Sequence, residues 1–137
     1  MSTQHWPVVV VTFPAAFSER DLQRHLLECE PLLSRGDTFL CIRDLTQIKQ
    51  VPDAGVRRAA ASWEQRHQVP LGRVLLGVAN VSDSKLVRGA LTAMRWLSSA
   101  PYPEVSLSTL QEAFQWAETL LSERGLPVPD HVRKQAI

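Results

Sequence analysis

The sequence predicts a single α/β domain, a four-stranded, mainly parallel sheet flanked by helices in the order βαβαβαβα. Three observations lead there. Uncharged aliphatic runs recur at residues 8–11, 39–42 and 74–79, and runs of this kind are how strands covered on both faces read. Between them lie stretches of 3.6-residue apolar periodicity that open on capping residues. The connections are short, so strand and helix alternate. Such alternation packs helices on a parallel sheet through right-handed crossovers.

The clearest unit is residues 72–99. Val74 to Ala79 carries no charge and reads as a central strand. Ser82 or Ser84 caps the helix that follows, with Leu86, Ala90, Met94 and Leu97 as its apolar stripe. Upstream, residues 6–13 are rich in valine and form the first strand, which Pro14 ends. Ser18 caps a helix, with Asp21 completing a capping box, and Leu22, Leu26, Cys29 and Leu33 form its stripe. Pro31 cannot donate to the previous turn and clashes with it, so a kink or break is expected near Glu30. Gly36 closes the helix.

Residues 38–44 form the second strand and residues 45–52 a loop. Asp53 caps the next helix, whose stripe is Val56, Ala59 or Ala60, and Trp63; Arg57, Arg58, Glu64 and Arg66 are expected to face water. Pro70 and Gly72 punctuate a loop over residues 68–72. Residues 104–107 are the fourth strand. Ser108 and Gln111 form a capping box for the last long helix, with Leu110, Phe114, Ala117 and Leu121 on its stripe and Gly125 at its end. The domain therefore spans residues 1–125. Residues 126–137 form a tail with at most a turn of helix from Asp130.

Bulk properties narrow the function. A net charge of +1 gives no broad attraction for nucleic acid or an anionic membrane surface. No apolar run approaches the about 20 residues that a membrane helix needs, and the N-terminus lacks the pattern of a signal peptide. The cytoplasm is the default compartment. Cys29 and Cys41 both sit in apolar settings and read as buried free thiols.

Motifs for phosphate binding and the nucleophile elbow are absent. The four histidines are scattered, and the helical neighbours His25 and Cys29 are too few to hold a metal. No catalytic residue, metal or cofactor is expected. In an open α/β sheet, ligands sit beyond the carboxyl ends of the strands, where strand order reverses. Residues 14–17, 44–53 and 80–84 should share that edge. Asp44, Thr46, Asp53, Asn80, Ser82, Asp83 and Ser84 lie there, each able to serve also as a cap or turn former. Arg57 adds a basic spot with Arg58. Among the helical tryptophans, Trp63, Trp96 and Trp116, Trp96 lies off the apolar stripe and is the candidate for an exposed anchor.

The run Phe39-Leu-Cys-Ile-Arg-Asp-Leu-Thr-Gln-Ile48 resembles the strand and turn of SpoIIAA-like and STAS domains. Pro52-Asp-Ala-Gly-Val56 falls where anti-sigma factor antagonists carry an Asp-Ser-Ser-Gly turn. Gly77-Val-Ala-Asn80, Arg88-Gly-Ala-Leu-Thr-Ala93 and Leu110-Gln-Glu-Ala-Phe-Gln-Trp-Ala117 extend the likeness over residues 8–121. The phosphorylatable serine of that turn is missing, since Pro52, Asp53 and Ala54 stand there. An N-terminal β-hairpin of the usual STAS start is not evident either, which suits a divergent SpoIIAA-like branch.

The resemblance implies a non-enzymatic regulatory module that docks a protein partner or a second copy of itself, without nucleic acid or membrane insertion. Its candidate contact residues are Asp44, Thr46, Asp53, Arg57, Asn80, Ser82, Ser84 and Trp96. The alternative is a small-molecule or lipid-binding domain with a pocket between sheet and helices.

Overall fold

A computed structural model describes residues 1–96 and 100–137, with Trp96 described by its backbone alone. Five strands form one mixed sheet in the order β1-β2-β3-β4-β5. They are β1 (Ser2–His5), β2 (Val8–Thr12), β3 (Phe39–Asp44), β4 (Leu75–Val81) and β5 (Glu104–Leu107). Strands β2 to β5 are parallel, each paired with its predecessor. The sheet thus exceeds the four expected strands by β1, which runs antiparallel to β2 across the Trp6–Pro7 turn, a cis peptide bond. This N-terminal hairpin corrects the expectation that none is present. Its first strand, Ser-Thr-Gln-His, is polar and lies at the sheet edge, so it carries no apolar run by which to be read.

Six helices cover the sheet. On one face lie α1 (Glu19–Arg35), α2 (Ala54–Arg66), α3 (Gln68–Val74) and α4 (Lys85–Trp96), and on the other α5 (Leu110–Glu123) and α6 (Asp130–Ala136). The sheet residues divide accordingly. Val9, Val11, Phe39, Cys41 and Val78 join the core under α1–α4, while Val8, Leu40, Ile42, Ala79 and Val81 join the core under α5 and α6. Alternation along strands covered on both faces accounts for their uninterrupted apolar character.

Several local readings hold. Ser18 and Asp21 form a reciprocal capping box on α1, and Gly36 ends that helix at φ 77°. Asp53 caps α2 by accepting from the Val56 amide at 2.9 Å. Others are corrected. Helix α1 runs unbroken through Pro31. Pro31 and Leu27 are both exposed, so the carbonyl that loses its amide partner can be hydrated, and the cost of the proline is confined to the solvent side.

Residues 68–72 are part of α3 rather than a loop; Pro70 falls in its first turn, where a missing amide costs little. On α4 the expected stripe is rotated. Leu86 is 69% exposed and Val87 only 3%, because Val87, Leu91 and Met94 share a second helical face that is equally apolar. Leu97 lies outside the described residues. The last long helix is capped by Thr109, one residue later than expected, and Leu110 is exposed while Ala113 takes its place in the core. Residues 126–137 are not loose. Helix α6 buries Val132 and Ala136 against α5 and the sheet.

Gly77 marks a close approach on the α5 face. A Cβ there would lie 3.0 Å from the Trp116 ring and 3.1 Å from Leu120. The absence of a side chain at this point of β4 is what lets the end of the Trp116 ring approach the sheet so closely.

Candidate functional site

Between the sheet and helices α1, α2 and α4 lies a half-open cavity of about 810 Å³. Its walls are largely apolar. The sheet contributes Val9, Val11 and Cys41, the turn after β2 contributes Phe13, α1 contributes Leu22, Leu26 and Leu33, and α4 contributes Val87, Leu91 and Met94. The cavity arises because α2 and α4 offer small residues inward, with Ala60 on α2 and Ala90 on α4 lining it.

One stretch of the floor is polar. Arg43, Asn80 and Glu104 project from three adjacent strands onto the same face. Arg43 Nη1 donates to Glu104 Oε1 at 3.2 Å, and Asn80 Nδ2 donates to the same oxygen at 2.9 Å. The side chains of Arg43 and Glu104 are 29% and 15% accessible, and both line the cavity. Burial works against the charge of Arg43. The facing Tyr102 oxygen, Glu104 and Glu64 outweigh it and hold the guanidinium firmly protonated. Burial pushes the Tyr102 hydroxyl up, and Glu64 adds to that by accepting its hydrogen bond. Two buried polar atoms beside this floor have no partner among the described residues, the indole nitrogen of Trp63 and the side-chain oxygen of Asn80. Native interiors rarely leave such groups unanswered.

His25 and Cys29 meet on the cavity side of α1, with Cys29 Sγ 3.6 Å from His25 Nε2. Their titration is opposite to that of an activated thiol. Burial, then Arg43, brings His25 down to about 4, while burial, then Cys41, pushes Cys29 up to about 12. Both are neutral at pH 7, and a thiolate–imidazolium pair is strongly disfavoured. Cys41 is buried, and burial raises its thiol as well. Both cysteines are free. Among the described residues, no group of three or more metal-binding side chains comes together, and no helix is long and apolar enough to cross a membrane.

The residues expected at the carboxyl edge of the sheet are mostly occupied by local structure. Asp44 is buried and accepts from the Thr46 amide at 3.0 Å and its hydroxyl at 2.6 Å, closing the turn after β3. Ser82 is fully buried; its hydroxyl accepts from the Ser84 amide at 3.2 Å, and its carbonyl accepts from Arg88 at 2.6 Å. Ser84 caps α4 through the Val87 amide. Asp83 is exposed and pairs with Lys49 at 3.2 Å. Asp53 is the α2 cap. Arg57 is exposed on α2 and lines the cavity. The Trp96 side chain lies outside the described residues. The strand order does not reverse anywhere in the sheet, so the expected crevice at a switch point has no counterpart.

Asn80 alone of these residues joins the polar floor. Arg43, Glu104, Tyr102, Trp63 and Glu64 complete it, and Glu64, expected to face water, is half-buried there. One signal for the floor is present in the sequence. Arg43 and Asn80 are polar residues in strands otherwise apolar on both faces, and each therefore needs a partner across the sheet. Comparison with known proteins adds no relative, since no family model, no curated protein and no solved structure matches the chain.

Proposed function

We propose that this chain is a binding domain for a small, mainly apolar molecule, held in the cavity between the sheet and helices α1, α2 and α4. The observation that carries the reading is the cavity itself. At about 810 Å³ it falls in the range of ligand sites, about 300–1,000 Å³. It is lined by apolar side chains with one convergent polar stretch, the usual composition of such sites. The neutral His25–Cys29 pair supports binding rather than catalysis.

Thermal melting with a panel of hydrophobic probes tests this. A ligand present at 100 times its Kd adds about 2.7 kcal/mol of stability. Ala60→Phe should fill the cavity from α2 and abolish the shift while the protein stays folded. Undiminished binding by that variant would place the ligand elsewhere and end the proposal.

A second reading keeps the regulatory module that the SpoIIAA-like resemblance implies. The observation in its favour is on α4, where Leu86 and Met94 are 69% and 37% exposed. A docked protein partner or a second copy would cover them. Leu86→Glu should then abolish co-purification or self-association, and a monomer indifferent to that change in light scattering would count against it.

A further inference from the structure

Resting on the cavity reading above, we infer that the ligand is an anionic amphiphile, a carboxylate with an aliphatic or aromatic tail, whose head lies against Arg43. Three observations converge. The charged side chains lining the cavity are unbalanced, four arginines (Arg43, Arg57, Arg58 and Arg95) against two glutamates (Glu64 and Glu104). Against low-dielectric apolar walls that excess acts over longer distances than it would in bulk water. Arg57, Arg58 and Arg95 are exposed as well as cavity-lining, so they stand at the rim and favour entry of an anion. Arg43 stands at the floor.

The second observation is the hydrogen-bonding state of Arg43. A guanidinium has five N–H donors in a planar fork. Glu104 engages it through Nη1 alone, a single contact at 3.2 Å rather than a paired one. Cys41 takes a second contact from the guanidinium, and the Arg43 side chain, 29% accessible, lines the cavity. Carboxylates are the groups whose two oxygens match that fork. Glu104 competes only in part, because its Oε1 is already shared between Arg43 and Asn80.

The third is Trp63. Its indole N–H is buried on the cavity wall with no acceptor among the described residues. An acceptor-only head group would answer this donor as well as those of Arg43. An ammonium head would answer neither and would face the four arginines.

The test compares four probes that share one tail: decanoate, its methyl ester, decanol and decylamine. Each is titrated into the full chain by isothermal calorimetry. Decanoate should bind tightest and decylamine weakest. Arg43→Gln should weaken decanoate about tenfold or more and leave decanol unchanged, as expected for loss of a charge-assisted hydrogen bond.

Glu104→Gln should tighten decanoate, because the competing carboxylate is gone while Asn80 keeps an acceptor. A residue that only supports the fold would not produce that gain. Trp63→Phe keeps the ring but removes the donor and should weaken decanoate while leaving decylamine, which has no acceptor, unmoved, so the inference remains testable even where Arg43→Gln does not fold. Equal binding of decanoate and decanol, unmoved by any of these variants, overturns the head-group assignment and leaves the cavity reading intact. Heatless titrations with all four probes overturn both.

Discussion

Replacing Gly77 with alanine is a direct probe of how β4 meets α5. In isolation the change should help, since alanine restricts the unfolded chain more than glycine and typically adds about 0.4–1 kcal/mol where the native backbone accepts it. Gly77 does not have a positive φ, so the backbone presents no obstacle. The obstacle is space. The new methyl group would lie 3.0 Å from two carbons of the Trp116 ring and 3.1 Å from a Leu120 methyl. Real contacts begin several tenths of an ångström further out, so the ring must retreat from the sheet.

Trp116 is a rigid side chain on a helix that is itself anchored by Ala113, Phe114, Ala117 and Leu121. Overpacking of this kind costs about 1–3 kcal/mol, which exceeds the backbone gain. The expected outcome is a net loss of about 1–2 kcal/mol in urea unfolding, with the m-value unchanged. The double variant Gly77→Ala with Trp116→Leu should recover part of that loss, measured as a coupling energy in a double-mutant cycle. A single variant as stable as the parent, or more stable, would show that α5 is free to move and would refute the argument.

Further expectations follow from the same geometry. His25 titrates at about 4 when folded and at about 6.5 when unfolded, so the unfolded chain binds the extra proton in between. Its contribution is complete above pH 6.5, falls as the pH drops towards 4, and amounts to about 3 kcal/mol; His25→Phe should flatten the stability profile over that window. With its thiol pushed up to about 12, Cys29 should react with iodoacetamide at pH 8 about a thousandfold more slowly than a free cysteine, and at an ordinary rate in denaturant. Asp53→Ala removes the α2 cap and should cost about 0.5–2 kcal/mol in chemical denaturation, whereas Asp53→Asn should cost far less.

The sequence carries the fold in those segments where one requirement dominates. Strands β2, β3 and β4 are legible because both of their faces are covered, which demands apolar residues at nearly every position. The α1 and α2 starts are legible because a cap is a local device, complete within four residues. Three kinds of feature resist. Edge strand β1 has water on one side and no pattern to betray it. Helix α4 is apolar on adjoining faces, so its periodicity admits a Leu86 stripe or a Val87 stripe, and only packing against β5 and the cavity selects the second.

The polar floor resists for another reason. Arg43, Asn80 and Glu104 are brought together by the register of three strands spread over 62 residues of sequence. Arg43 and Asn80 stand out as polar residues in apolar strands, but nothing local says that they meet each other or Glu104. Pro31 shows the converse, a strong local signal made harmless because the affected carbonyl faces solvent.

The unbroken strand order also bears on how the chain assembles. Every strand after the first pairs with the one made just before it. The sheet can therefore grow by accretion as the polypeptide leaves the ribosome, and no strand must wait with both edges bare for a partner encoded much later. Each parallel pairing still closes across a helical crossover, as between Val8 and Leu40 or Leu40 and Gly77, and closures of that span make parallel sheets slow to form. The face under α1–α4, cavity included, is encoded before α5 and α6. Those two helices arrive last and seal the opposite side, so a nascent chain halted before residue 110 would present one finished face and one bare apolar sheet surface, a natural docking point for a chaperone.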